Sequence, residues 1–306
     1  MEREYPHNFN EAEPYIIKPG HQAANEILTA GKCYFYDTCS FIRHIHLQYP
    51  EVLFDYIKKH NGIVVITGCI IMELASGNGI LDLKYIEYIR KMYEYGIKVI
   101  VMYEEDMFDV LNMCFTTNSS INTYLSLAVK TVKTPVGTIE STLKSDEPLM
   151  REIFKGSSKD STLFSRFFKE VRSNKESGDN LGEELIAVCV HMLSNIPDNC
   201  SYKYIILTED KGAVGLINKV SKNIFLYQDK YTISAMTTTG LVQRMYDEGI
   251  ISERHQVEEL LSSGMAGDKI RLLGSEEYDL EPKEKTMTVM ELADKIVTPN
   301  KIHINY

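Results

Sequence analysis

The sequence predicts an α/β fold, a three-layer α/β/α core with a central parallel sheet, a helical insertion and a small C-terminal extension. Three observations point there. Short apolar runs of strand length recur along the chain, amphipathic stretches with three- and four-residue apolar spacing alternate with them, and the connections are short. Sheets of this kind collect chemistry at the carboxyl ends of their strands.

About thirty polar, proline-containing residues lead in. Cys33-Tyr34-Phe35-Tyr36 is then a buried strand that stops at Asp37-Thr38. Pro50 introduces a helix carrying Val52, Leu53, Tyr56 and Ile57, which Asn61-Gly62 ends. Ile63 to Ile66 is the second strand, and Ile70 to Ala75, apolar except for Glu73, fits a helix entered near Thr67. Leu83, Ile86, Ile89, Arg90 and Tyr93 keep a helical rhythm as far as Tyr95-Gly96, and Lys98 to Met102 is the third strand. From Thr116 to Gly178 periodicity weakens and Ser, Thr, Asn and Lys rise, apart from the stripe Leu163, Phe164, Phe167, Phe168 and Val171. This segment reads as an insertion with at least one helix. Leu185 to Val190 predicts a buried helix, Lys203 to Leu207 a fourth strand, Ala213 to Val220 a helix and Ile224 to Tyr227 a fifth strand. Beyond Thr239 come helices at Leu241 to Glu248 and Glu253 to Leu261, and a tail with Lys269 to Leu273 and Ile302 to Ile304. Within that tail Thr288-Val289-Met290-Glu291 fits a capping box opening a helix. The expected division is a lead over 1–32, a core domain over 33–246 with its insertion at 116–178, and an extension over 247–306.

The 306 residues, 44% apolar and 25% charged, suit one large domain or two modest ones. The longest uncharged apolar stretch, Gly62 to Met72, has eleven residues, well short of the ~20 that a bilayer requires, and the chain opens on Met1-Glu2-Arg3-Glu4 rather than a signal sequence. Six cysteines without a CxxC pair indicate a reduced, cytoplasmic protein with no structural zinc. A net charge of −10 argues against a general nucleic-acid coat and for local use of charge. Lys130 to Lys175 runs the other way, with ten basic residues against six acids.

Asp37 follows the first strand and Asp210 stands three residues past the fourth, so distant segments deliver acids to one rim. Glu73 lies on the helix after the second strand, and Glu183 opens the helix before the fourth, with Asp179 and Glu184 close by. Plainer roles exist for some of them. Asp210 is placed to cap the helix it precedes, and Asn180-Leu181-Gly182-Glu183 resembles a capping arrangement. Glu73 resists such an explanation, because an acid inside an apolar run is costly to bury without a cation or a donor.

The strings Tyr36-Asp37-Thr38-Cys39-Ser40-Phe41, Ile71-Met72-Glu73-Leu74, Gly182-Glu183-Glu184-Leu185-Ile186-Ala187 and Leu207-Thr208-Glu209-Asp210-Lys211 resemble the four successive motifs of PIN-domain nucleases in order and in placement against the strands. The likeness covers Cys33 to Tyr246, interrupted by the 116–178 segment. By this resemblance Asp37, Glu73, Glu183 and Asp210 hold one or two Mg²⁺ or Mn²⁺ ions, and Thr38, Ser40 or Thr208 orient ligands or phosphate. The family more often has Asp at the third motif, which leaves Glu183, Glu184 and Asp179 as alternative ligands there. The implied activity is that of a cytoplasmic, metal-dependent endoribonuclease leaving 5′-phosphate and 3′-hydroxyl ends, with a toxin or phage-defence role among the options. Hard cations suit such oxygen donors and lower the pKa of a bound water. The alternatives are a non-catalytic PIN-like interaction module and a structure-specific DNA nuclease. RNA is the expected substrate, with a homo-oligomer or protein partner served by the extension and no membrane association.

Arg166, Lys169, Arg172 and Lys175 recur every three residues beside the Phe164, Phe167, Phe168, Val171 stripe. They predict either a solvated flank of a docked helix or a grip on a phosphate backbone. His44 and His46 are expected to be surface or core residues rather than ligands. The nineteen tyrosines belong mostly to core and interfaces. Ser76-Gly77-Asn78-Gly79 lacks the Lys-Ser/Thr of a P-loop and reads as a turn.

Overall fold

The computed structural model describes residues 3–75, 77–115, 117–155, 162–176, 178–197, 200–265, 267–277 and 279–305. Ser76 of the expected turn, Thr116 at the start of the insertion, and Lys159 and Asp160 of the charged segment lie outside them. In chain order the elements are α1 (His21–Thr29), β1 (Lys32–Tyr36), α2 (Thr38–His44), α3 (Pro50–Lys59), β2 (Gly62–Thr67), α4 (Gly68–Leu74), α5 (Leu83–Glu94) and β3 (Val99–Met102). Next come α6 (Met107–Asn112), α7 (Asn118–Val132), α8 (Thr138–Ser145), α9 (Glu147–Lys155), α10 (Leu163–Ser173), α11 (Leu181–Ser194), β4 (Tyr204–Leu207), α12 (Lys211–Gln228), β5 (Ile233–Met236) and α13 (Thr238–Asp247). The C-terminal part adds α14 (Arg254–Ser262), β6 (Lys269–Ser275), β7 (Lys283–Thr288), α15 (Val289–Val297) and β8 (His303–Ile304).

The five central strands run parallel in the order β3-β2-β1-β4-β5, flanked by helices as a three-layer α/β/α core. β1 sits in the middle because it is uncharged from Cys33 to Tyr36 and buried on both faces. From β1 the chain winds outward to β2 and β3, then returns to add β4 and β5 on the other side. The reversal falls between β1 and β4, whose registers pair Tyr36 with Leu207. That crevice, beyond the strand ends, is where open α/β sheets bind ligands. Ile17 of the lead bridges Ile100 and so covers the β3 edge.

The fifth strand lies elsewhere than the sequence suggested. Residues 224–227 belong to α12, which carries on past Val220 because Ser221-Lys222-Asn223 contains no breaker, and which ends at Asp229 in the left-handed conformation (φ 53°). A short apolar run is ambiguous between helix and strand, and here one of its members, Leu226, is 80% exposed. Ile233–Met236 forms β5 instead.

The insertion is more ordered than its composition implied: α7 to α10 are all helices, and Phe164, Phe167, Phe168 and Val171 are buried as their spacing predicted. Burial of each phenylalanine contributes roughly 2 kcal/mol. The extension is an antiparallel β7-β6-β8 sheet with α14 and α15, and the Thr288/Glu291 capping box is formed. Gln243 ties it to α13, donating to the Ile302 carbonyl at 2.7 Å and accepting from the Ile304 N–H at 2.7 Å. No helix among the described residues is long and apolar enough to cross a membrane.

Candidate active site

Asp37 ends β1 and caps α2, its Oδ1 accepting the Thr38 N–H at 2.7 Å. Its Oδ2 accepts the Thr208 hydroxyl at 2.9 Å and the Cys39 thiol at 2.6 Å. Thr208 follows β4, is fully buried, and also accepts the Asp210 N–H at 3.1 Å. One threonine therefore ties the first motif to the fourth across the crevice. Burial pushes the Asp37 carboxyl up and Glu73 adds to the shift, against the three hydrogen bonds it receives.

The second motif joins through Thr38, whose hydroxyl donates to Glu73 Oε2. Glu73 Oε1 accepts the Lys175 ammonium at 2.7 Å, so the cation that an acid inside an apolar run requires comes from the chain just past α10. α4 and α11 approach closely at this point. A Cβ on Gly182 would lie 2.8 Å from both Glu73 Oε1 and Ile70 Cδ1, so the residue before Glu183 has to be small.

The three candidates at the third motif differ in their surroundings. The Glu183 carboxyl is pushed up to about 7, first by burial and then by the charges of Asp37, Glu73 and Asp210. Glu184 points elsewhere, whereas Asp179 shares the Lys175 ammonium with Glu73. Glu184 is buried and accepts the Ile139 N–H at 3.1 Å at the start of α8. Asp179 accepts the Thr138 hydroxyl at 2.7 Å, the Glu176 N–H at 3.0 Å and the Lys175 ammonium at 3.1 Å. Burial opposes ionisation of Asp179, but these donors outweigh it and hold the carboxyl below its usual range. The Asn180 side chain makes no cap bond to α11.

Asp210 does cap α12, accepting the Ala213 N–H at 2.7 Å, while its charge reaches Glu183. Ser40 is buried, its hydroxyl among those left without a hydrogen-bond partner among the described residues. His44 is a buried strut, bonded at 2.9 Å to Tyr36 and at 3.0 Å to Thr238, and burial lowers its pKa to about 4; His46 is exposed.

The basic row at the end of the insertion is largely committed to internal pairs. Arg172 bonds Glu104 at 2.6 Å and Glu105 at 2.8 Å, Arg166 pairs with Glu152 at 2.9 Å, and Lys175 belongs to the acidic rim. Lys169 makes no ion pair among the described residues.

Lys175 and Cys39 are the two members of this rim that sequence reasoning did not assign to it. Cys39 stood inside the first motif string, whereas Lys175 had only its place in the basic row as a signal. The oxygen donors suit a hard divalent cation. Among the described residues, however, no three His, Cys, Asp or Glu side chains stand as a ready cage. The hydrogen bonds give the reason: Glu73 is turned to Lys175 and Thr38, and Asp210 to the Ala213 amide.

No family model, curated protein or solved structure matches the chain.

Proposed function

We propose that the protein is a metal-dependent nuclease of PIN-like type, acting in the cytoplasm on RNA and leaving 5′-phosphate and 3′-hydroxyl ends. The observation that carries this reading is the hydrogen-bond chain that ties Asp37 to Glu73 through Thr38 and to Asp210 through Thr208, at the crevice where the sheet reverses direction, with half-buried Glu183 within reach of their charges. Four acids from four separate segments repel one another, and a bound cation would relieve that repulsion. Asp37, Glu73, Glu183 and Asp210 would hold Mg²⁺ or Mn²⁺. When bound, the ion supplies Lewis-acid stabilisation of the phosphoryl oxygens and a lowered pKa for attacking water.

The chain's own groups do the positioning. Thr208 fixes the Asp37 carboxylate, Thr38 fixes Glu73, Lys175 balances the Glu73 charge until a cation replaces it, and Gly182 lets α11 approach α4 beside Glu73. The preference for RNA over DNA rests on the family resemblance.

The direct assay incubates 5′-labelled single-stranded RNA with Mn²⁺ and compares wild type with Asp37→Asn and Glu183→Gln. Cleavage by wild type alone, with 5′-phosphate products, is expected. Faster cutting of flap or single-stranded DNA would turn the reading to a DNA nuclease.

One observation favours a second reading. With Glu73 neutralised by Lys175 and Asp210 engaged as a cap, the fold stands without a metal, as a non-catalytic interaction module would. Mn²⁺ binding with no cleavage of any RNA or DNA would select that alternative.

A further inference from the structure

Beside the acidic rim opens a small cleft of about 130 Å³ between the loop after β4 and the C-terminal sheet. Arg43, Lys211, Lys269 and Arg271 line it, with Glu209 as the acid among its walls. The four cations are not equivalent. Arg43 is structural, pairing with Glu209 at 2.6 Å and donating to the carbonyls of Leu261 and Ser263, so it bolts the extension to the rim. Lys211 and Arg271 share one half-exposed carboxylate, Glu284, at 2.7 and 2.6 Å. Two cations on one anion leave a positive excess, and their hydrogen bonds, that of Lys211 first, hold the Glu284 carboxyl down at about 2. Lys269 has no ion pair among the described residues.

Geometry adds direction to this charge. Lys269 and Arg271 alternate with buried Ile270 and Leu272, so both stand on the outer face of β6. Two residues along a strand span about 6.8 Å, the scale of one nucleotide step in an extended backbone. Lys211 immediately follows Asp210, so the positive track begins where the acids end.

We infer that this cleft is the substrate-strand subsite, in which Lys211, Lys269 and Arg271 hold the phosphodiester backbone of a single-stranded nucleic acid beside the acidic rim. The inference rests on the nuclease reading and moves the backbone grip from α10, where the arginines are spent on internal acids, to the extension.

Fluorescence anisotropy of a labelled single-stranded RNA and the same DNA sequence, with the full-length protein in EDTA, provides the test. Lys269→Ala with Arg271→Ala should weaken binding roughly tenfold at low salt and reduce the slope of log K against log salt by about 1.4, two phosphate contacts' worth. Arg166→Ala should stay within about twofold of wild type. Glu284→Gln, which frees both of its cations, should tighten binding roughly threefold, a gain that misfolding does not produce. RNA and DNA responding alike would assign the site to the backbone, and a larger loss for RNA would add a contact to the 2′-hydroxyl. Unchanged affinity and slope in the double variant, or stronger displacement by an acidic peptide than by unlabelled RNA, would overturn the inference. A parallel Mn²⁺ cleavage assay separates the two ideas: cutting with unchanged binding discards the cleft alone, whereas lost binding with no cutting by wild type keeps the cleft and discards the nuclease.

Discussion

The ammonium of Lys175 lies 2.7 Å from Glu73 Oε1 and 3.1 Å from Asp179 Oδ1, so the inserted segment places a positive charge on the rim of the acidic cluster. Burial disfavours that charge, yet the nearby acids more than offset this and the Lys175 pKa is raised. A divalent cation that takes Glu73 as a ligand must first displace this lysine.

Lys175→Met should therefore lower the Kd for Mn²⁺ roughly tenfold, about 1.4 kcal/mol, as read by isothermal titration. It should also lower the metal-free Tm, since the acids lose their counter-charge. An unchanged Kd would mean that lysine and metal do not compete.

The pH dependence of stability isolates Glu183. Its folded carboxyl sits at about 7, above the ordinary 4.5, so folding retains a proton between those values and stability falls as pH rises from 4.5 to 7. The penalty is absent below 4.5, complete above 7 and on the order of 3 kcal/mol. His44 works in the opposite sense over an overlapping window. Its folded pKa of about 4 against 6.5 costs stability as pH falls through that range. The readout is thus the difference between variants in urea melts with EDTA. Glu183→Gln should be more stable than wild type at pH 8, with the gain fading towards pH 4.5; a pH-independent difference would contradict the shift.

Gly182 tests the packing that delivers Glu183. Gly182→Ala places a methyl 2.8 Å from Glu73 Oε1 and Ile70 Cδ1, so α11 must shift or Glu73 must turn away. A loss of roughly 1–3 kcal/mol and weaker Mn²⁺ binding are expected. Wild-type stability and affinity would show that the two helices separate freely.

Arg172 and Arg166, both read as a phosphate grip, should now behave differently. Glu104 is fully buried and bonded to Arg172, so Arg172→Met strands a buried carboxylate and should cost roughly 3–5 kcal/mol in urea melts. Arg166 pairs with Glu152 at the surface, and Arg166→Ala should cost under about 1 kcal/mol. Equal costs would refute the distinction.

Sequence periodicity found β1 to β4 because each holds an uncharged apolar run of strand length, with lysine only at its start where one occurs, and the order of acids after strands was legible for the same reason. It misplaced β5 because an apolar run of four residues carries no intrinsic choice between the end of α12 and a strand. The third motif stayed open among Asp179, Glu183 and Glu184, since only the rotation of α11 decides which of the adjacent glutamates faces the crevice. The place of Lys175 on the acidic rim was hidden for a similar reason. It continues a basic row at three-residue spacing that looks solvated, and its partner Glu73 is contributed from across the fold.

The most direct test is an anomalous difference map from crystals soaked in Mn²⁺. A peak contacting Asp37 and at least one of Glu73, Glu183 and Asp210, with Lys175 displaced from Glu73, is expected. Strong peaks confined to other acids, or none while Lys175 still holds Glu73, would contradict a metal-dependent nuclease centre at this crevice.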